Sequence, residues 1–395
     1  MKHCEPFGGL MLTALLCASF PAMAIGTFGP ESPDSSNFAA RAMLIQDGES
    51  TVAAFQIDPE AADGVSHWII PVPGEVEIEP KPMKFGDDEF ESFLAASDPM
   101  YLMPLGFLSG CGGGCVEGVG DTGELAEVRV FDTDIPGSGL DIRVFPANEM
   151  DKLIGEPAVA EFQLSEDQKG MITGYGSDGW QALLVTLGNG VSWDKSTPLI
   201  VYRYSGSHMV LPMALSSIVV DTELQTLVTV VANRRMNPAE SPGVEPRLGL
   251  PAYRPEMTRK FYNSRVRVAI EEADGHAWVL EYANTLEALN QRHRELEKAD
   301  TEDMVYAGIP ENPGAVFDAF KREGFLSENF GKDAFVTRWR TYIDIDDLKD
   351  EPFIQSPTDE TYEVFIDAHG SRTPSQGAVW LPLVAMGWLM RRRRE

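Results

Sequence analysis

Apolar runs no longer than a β-strand, each closed by glycine, aspartate or proline, recur along most of this 395-residue chain. That punctuation constrains the fold more than any other feature. "ARAMLIQDGESTVAAFQI" (40–57) places two such runs on either side of Asp47-Gly48, the dipeptide a tight hairpin turn favours. "VSHWIIPVP" (65–73) reads as a strand closed by Pro71 and Pro73, which cannot extend a hydrogen-bonded ladder. Further β-like runs lie near 126–132, 141–145, 158–164, 180–187, 198–204, 208–220 and 224–232. "SRVRVAIEEADGHAWVLEYA" (264–283) alternates around Asp274-Gly275 and predicts a second hairpin, and "AFVTRWRTYIDI" (334–345) returns to strand alternation.

Helical signals are fewer. "FGDDEFESFLAA" (85–96) has Asp87 as a cap, and "PANEMDKLIG" (146–155) reads as a short helix. A helix over Thr285–Lys298 puts Leu286, Leu289, His293 and Leu296 on one face, and another covers Ala315–Arg322. Strands in hairpins, without regular β-α alternation, predict a mainly β, α+β fold. The expectation is an antiparallel β-rich ectodomain with a few helices and a single short C-terminal transmembrane helix. Five prolines between Asn237 and Pro255 mark a linker or long crossing loop. The expected segments are a signal peptide (1–24), a loose lead (25–37), a β-rich domain (38–236) and the Pro/Gly linker (237–255). An α+β subdomain (256–351), a stalk (352–376), a transmembrane or sorting-tail helix (377–390) and a basic end (391–395) complete the chain.

The two ends address the compartment. "MKHCEPFGGLMLTALLCASFPAMAIG" has a basic start, an apolar run and the small-x-small pair Ala22 and Ala24, so signal peptidase should leave Ile25 at the mature N-terminus. Gly377 to Met390 carry no charge and are followed by Arg391, Arg392, Arg393 and Arg394. A helix of that length reaches about 21 Å against a hydrocarbon thickness of about 30 Å, so it spans only with thinning or snorkelling. The arginines belong on the cytoplasmic side, which leaves the body outside. A permanent anchor and a cleavable sorting tail both remain open, and the localisation expected is periplasmic or cell-surface.

With 61 acidic and 32 basic residues the formal charge is −29, and removing the neutral leader and the +3 tail leaves about −32. So acidic a body repels nucleic acid. Asp344–Asp350 lacks the central glycine and distal glutamate of a calcium loop. Cys4 and Cys17 leave with the signal, and "SGCGGGCVEG" (109–118) carries the remaining pair. Outside the cytosol Cys111 and Cys115 read as a disulfide, a local staple worth about 2 kcal/mol in the chain-entropy model. A zinc clip would need two further ligands at matching spacing.

"RAMLIQDGESTVAAFQI", "HWIIPVP", the glycine-flanked cysteines, "GWQALLVTL", "STPLIVYRYSGSHMVLPMAL" and "FVTRWRTYIDIDDLKDEPF" follow in order over residues 40–355. That succession resembles the exported bacterial family known as domain of unknown function 2330. The resemblance implies a signal peptide and often a C-terminal membrane segment, with no assigned activity.

Catalytic signals are sparse. His67, His208, His276, His293 and His369 form no H-x-x-x-H or HExxH pair. Gly174-Tyr175-Gly176-Ser177-Asp178-Gly179 matches G-x-G-x-x-G but precedes a strand instead of opening a helix, and reads as a turn. Ser205 and Ser207 beside His208 are a loose nucleophile candidate that a hairpin turn explains more simply. Asp63, His67 and Asp98 could ligate a metal only if the fold gathered them. His67 and His208 are therefore the weak site candidates, with no catalytic residue, metal or cofactor expected. The reading is a non-catalytic binding or structural envelope module, its partner a protein or glycan of the envelope and its membrane contact the C-terminal segment. The alternative is an extracytoplasmic hydrolase whose site assembles only in the fold.

Overall fold

The computed structural model describes residues 40–57, 67–83, 89–102, 140–160, 163–187, 199–218, 223–246, 257–298, 314–331 and 334–367. The signal segment, the lead, the Cys111/Cys115 segment, the run expected near 126–132 and the C-terminal segment with Arg391–Arg394 lie outside them. Among the described residues no helix is long and apolar enough to cross a membrane.

The chain opens with strands β1 (Ala40–Asp47), β2 (Ser50–Ile57), β3 (His67–Val72) and β4 (Val76–Met83), then helix α1 (Glu89–Ser97). Next come β5 (Met100–Leu102), β6 (Leu140–Phe145), the helices α2 (Met150–Ile154), α3 (Pro157–Ala160) and α4 (Glu166–Ser177), and β7 (Gln181–Leu187). β8 (Leu199–Ser205), β9 (Met209–Leu211), β10 (Glu223–Ala232), β11 (Met236–Pro238) and β12 (Gly243–Val244) precede α5 (Met257–Glu271) and β13 (Trp278–Thr285). The remainder comprises α6 (Leu286–Lys298), α7 (Ala315–Arg322), β14 (Phe335–Asp344), β15 (Glu351–Gln355), β16 (Tyr362–Glu363) and β17 (Phe365–Asp367).

A nine-stranded sheet organises these elements, in the order β12-β13-β14-β10-β1-β2-β8-β4, with β16 added beside β13. Its neighbours run antiparallel except β1–β10 and β12–β13. The β1–β2 hairpin forms as expected, with Asp47 opposite Ser50. Gly48 takes φ 69° at the first central position of its two-residue turn, where only glycine is unstrained.

Because strand side chains alternate, the sheet has two buried faces. From β14, Phe335, Trp339 and Ile343 join Phe55, Tyr202 and Val228 against Trp68, Ile70 and Leu183 of the three-stranded sheet β3-β7-β6 and Phe353 of the sheet β11-β15-β9. This is the sandwich face. Val336 and Tyr282 on the opposite face pack with Phe93 of α1, Leu289 of α6 and Phe317 and Phe320 of α7. Tyr262, Val266 and Ile270 of α5 cover Val279 and Tyr342 beside them. A third core lies under α2–α4 on the outer side of β3-β7-β6, around Leu153, Ile172 and Leu184. The molecule is thus β-rich with a few helices, an α+β fold.

Several expectations need correction. Asp274-Gly275 closes a helix, not a hairpin: residues 264–271 belong to α5, and the Gly275 amide donates to the Ile270 carbonyl. Asp274 at φ 61° and Gly275 at φ 88° supply the left-handed conformation that ends α5. Alternating Val266, Val268 and Ile270 suggested a strand, but Tyr262, Val266, Ala269 and Ile270 recur at helical spacing and form the buried side. The run near 158–164, expected as strand, begins inside α3, and among the described residues the run near 208–220 is strand only at β9. Pro71 does not end its strand, since the β3 ladder continues to Val72 opposite Gln181. β3 is an edge, so the ring needs no partner on its open side. Edge strand β4 holds Pro80 and Pro82 for the same reason and was not read from the sequence. Within 237–255, β11 pairs with β15 and β12 with β13, and strands from both sides of this segment share the large sheet. Residues 352–367, assigned to a stalk, complete β15 and form β16 and β17, paired with β9, β11, β13 and β5.

Candidate functional site

The helix-covered face should be apolar throughout, yet β14 presents Arg338 and Arg340 to it, and β13 presents Glu281. All three are at most 5 % exposed. Glu281 reaches them through a register shift: Leu280 opposes Trp339 and Tyr282 opposes Arg338, which leaves Glu281 as the extra residue of a β-bulge. Its Oε2 accepts from Arg338 Nε at 2.9 Å, and its Oε1 lies 2.7 Å from Arg340 Nε and accepts from the Tyr262 hydroxyl at 3.0 Å. One carboxylate thus joins two guanidiniums and α5.

Arg338 reaches on to the last turn of α1. Its Nη1 donates to the Leu94 carbonyl at 2.5 Å and to the Ser97 hydroxyl at 3.1 Å, and its Nη2 pairs with Asp98. A cation there also meets the negative end of the helix dipole. Arg340 donates to Asn263 of α5 at 2.9 Å and lies over the Tyr262 ring, 5.7 Å from its centre. Burial works against the Arg340 charge, but Glu281 beside it outweighs this and holds its pKa above the ordinary arginine value. Arg292 of α6 donates to the Asp98 carbonyl at 3.0 Å and stands 3.9 Å from Glu363 of β16, which accepts from Asn284 at 3.0 Å.

Among the described residues three arginines and three acids meet under the helices, and they hold α1, α5, α6 and β16 to the sheet. Only the Asp98 side chain, 44 % exposed, reaches the rim. Breaking such a buried set by removing one member costs about 3–5 kcal/mol, whereas replacing it whole with apolar groups is often neutral. The arrangement fixes which element sits where.

The candidates read from the sequence lie elsewhere. His67 is half-buried on β3, its Nδ1 3.1 Å from Thr186 Oγ1 across the strand pair. His208 follows the turn after β8, and its carbonyl accepts from the Tyr204 hydroxyl at 2.9 Å. The Ser205 hydroxyl accepts from the Glu75 amide at 3.0 Å, a turn contact. β3, which carries His67, packs on the sandwich side and Asp98 pairs with Arg338 on the helix side, so the large sheet separates two of the three residues considered for a metal; Asp63 lies outside the described residues. His276 stands 3.3 Å from Asp347 at the surface. Gly174, Gly176 and Gly179 form the end of α4 and the turn after it. Among the described residues no group of three or more His, Cys, Asp or Glu is placed to hold a metal.

The fold and the cluster define a layered, β-rich protein with a self-neutralised ionic clamp beneath its helices. No family model matches the chain, and no curated protein or solved structure matches it significantly.

Proposed function

We propose that this chain is an exported envelope protein whose β-rich body serves as a non-catalytic binding or structural module for a protein or glycan partner. The observation that carries the reading is the inward pairing of the buried ionic cluster: its charges hold elements together, and among its described members only Asp98 is substantially exposed. The engagement of His67 and the Ser205–His208 turn in local contacts supports it too. Export rests on the signal-like leader with Ala22, Ala24 and Ile25, and attachment on the apolar segment before Arg391–Arg394. Cys111 and Cys115 form a disulfide in this reading, and the ordered segments that resemble domain of unknown function 2330 agree with it.

Crosslinking in the native cell, followed by a hydrolase panel on the purified protein, tests the proposal. A specific envelope neighbour without turnover supports it. Turnover without a specific neighbour overturns it in favour of the hydrolase reading. Replacing Arg391–Arg394 with neutral residues should release or misorient the protein, and unchanged retention in membranes would remove the anchor from the reading.

A further inference from the structure

One ion pair of the clamp is long. Glu363 and Arg292 are each 7 % exposed, so their charges are withdrawn from solvent, yet Glu363 Oε2 and Arg292 Nη1 stand 3.9 Å apart. That is too long for a direct hydrogen bond. Among the described residues Glu363 Oε2 has no hydrogen-bond partner, although Oε1 accepts from Asn284. Opposite Glu363 in the β13–β16 register lies Tyr282, wholly buried, and its hydroxyl also has no hydrogen-bond partner among the described residues. The Arg292 guanidinium covers the Tyr282 ring, 5.5 Å from its centre. Burial and then the Glu363 charge raise the Tyr282 pKa while Arg292 lowers it, so both groups act on the hydroxyl.

A buried phenol and a buried carboxylate oxygen left without hydrogen bonds would each cost about 1–3 kcal/mol. Two such atoms beside an over-long ion pair describe the surroundings of an internal water, which typically makes about three hydrogen bonds to buried polar groups. The guest must be neutral. Among the described residues Arg292, Arg338 and Arg340 are matched in number by Asp98, Glu281 and Glu363, so an added ion would bring further charge into a site withdrawn from solvent. We propose that Tyr282, Glu363 and Arg292 form a binding site for one ordered water, which bridges the ion pair and fastens β16 to β13.

The bridge matters because β16 pairs with β13 over only two residues, Glu363 and Tyr362, directly before β17. The water would supply a side-chain tie where the backbone supplies little.

Tyr282→Phe in the otherwise intact chain provides the test. The substitution removes a hydroxyl with no hydrogen-bond partner among the described residues, so without the water it should leave the melting midpoint unchanged or raise it. With the water present the midpoint falls by about 1–3 °C, and the amides of Glu363 and Val364 exchange faster with solvent. Glu363→Gln, which keeps size and shape, should produce the same faster exchange. A crystal structure showing an ordered water within hydrogen-bonding distance of Tyr282 Oη, Glu363 Oε2 and Arg292 Nη1 supports the site. Ordered side chains with no water among them, or a midpoint that holds or rises in Tyr282→Phe, overturn it.

Discussion

Both faces of the large sheet are buried, and they are stabilised differently. The sandwich face relies on shape: Trp68, Trp278 and Trp339 are fully enclosed there. The Trp278 indole donates to Glu351 at 3.2 Å and the Trp339 indole to the Met236 carbonyl at 3.0 Å. Dispersion and removal from water do most of the work, and a change of one methylene is felt in proportion to volume. The helix face combines aromatic packing with the clamp of Glu281, Arg338 and Arg340, where a partner left behind costs more than lost area. The contrast teaches that one sheet can specify its two neighbours by different means, fit on one side and pairing on the other.

Glu281→Ala should therefore show the largest effect. It removes the carboxylate that two buried guanidiniums share, a loss of about 3–5 kcal/mol in denaturant unfolding. Glu281→Leu combined with Arg338→Met and Arg340→Leu should cost far less than that single change. If the triple variant is the weaker protein, the clamp adds net stability and the distinction between the faces narrows. On the sandwich face, Gly243→Ala puts a Cβ 2.8 Å from the Trp339 ring, and the overpacking should cost about 1–3 kcal/mol.

Acid provides a third test, away from both faces. Asp47 in the β1–β2 turn accepts from the Ser327 hydroxyl and amide at 2.7 Å each and from Arg203 at 2.9 Å. Burial pushes its pKa up, but those donors outweigh it, and the carboxyl stays below its ordinary value of 3.8. A lowered pKa gives stability that is complete above that ordinary value and lost as pH falls through the folded-state value. Asp47→Asn should thus be less stable than the native chain at neutral pH, with the gap closing in acid below 3.8. Smallest of all, Gly170→Ala in α4 meets open space and should gain up to about 1 kcal/mol from helix propensity.

Most strands were legible because their pattern repeats locally. β1, β2, β7, β8, β10 and β14 follow from alternation and turn residues, and α6 from the helical spacing of Leu286, Leu289 and Leu296. α5 was not, since "RVRVAI" satisfies both periods over its length and only the packing of Tyr262 and Ile270 decides between them. β4 was hidden by prolines that only an edge tolerates. The clamp left a trace that went unread. Arg338 and Arg340 alternate with Thr337, Trp339 and Thr341, so one side of that strand had to bury two cations. Glu281 stands alone in the apolar run "WVLEYA". A solitary charge in a strand buried on both sides asks for a partner, but which partner depends on β-strands 57 residues apart coming together.

The pairing of β17 with β5 has a mechanical consequence. The two run parallel, Phe365 with Met100 through Asp367 with Leu102. Tension applied to the polypeptide after Asp367 pulls along that seam, and its three residue pairs resist in shear together instead of peeling in succession. The load then passes through β5 into the end of α1, where Arg338 grips Leu94 and Ser97. Any tether attached behind this body would draw on its most heavily ion-paired anchorage.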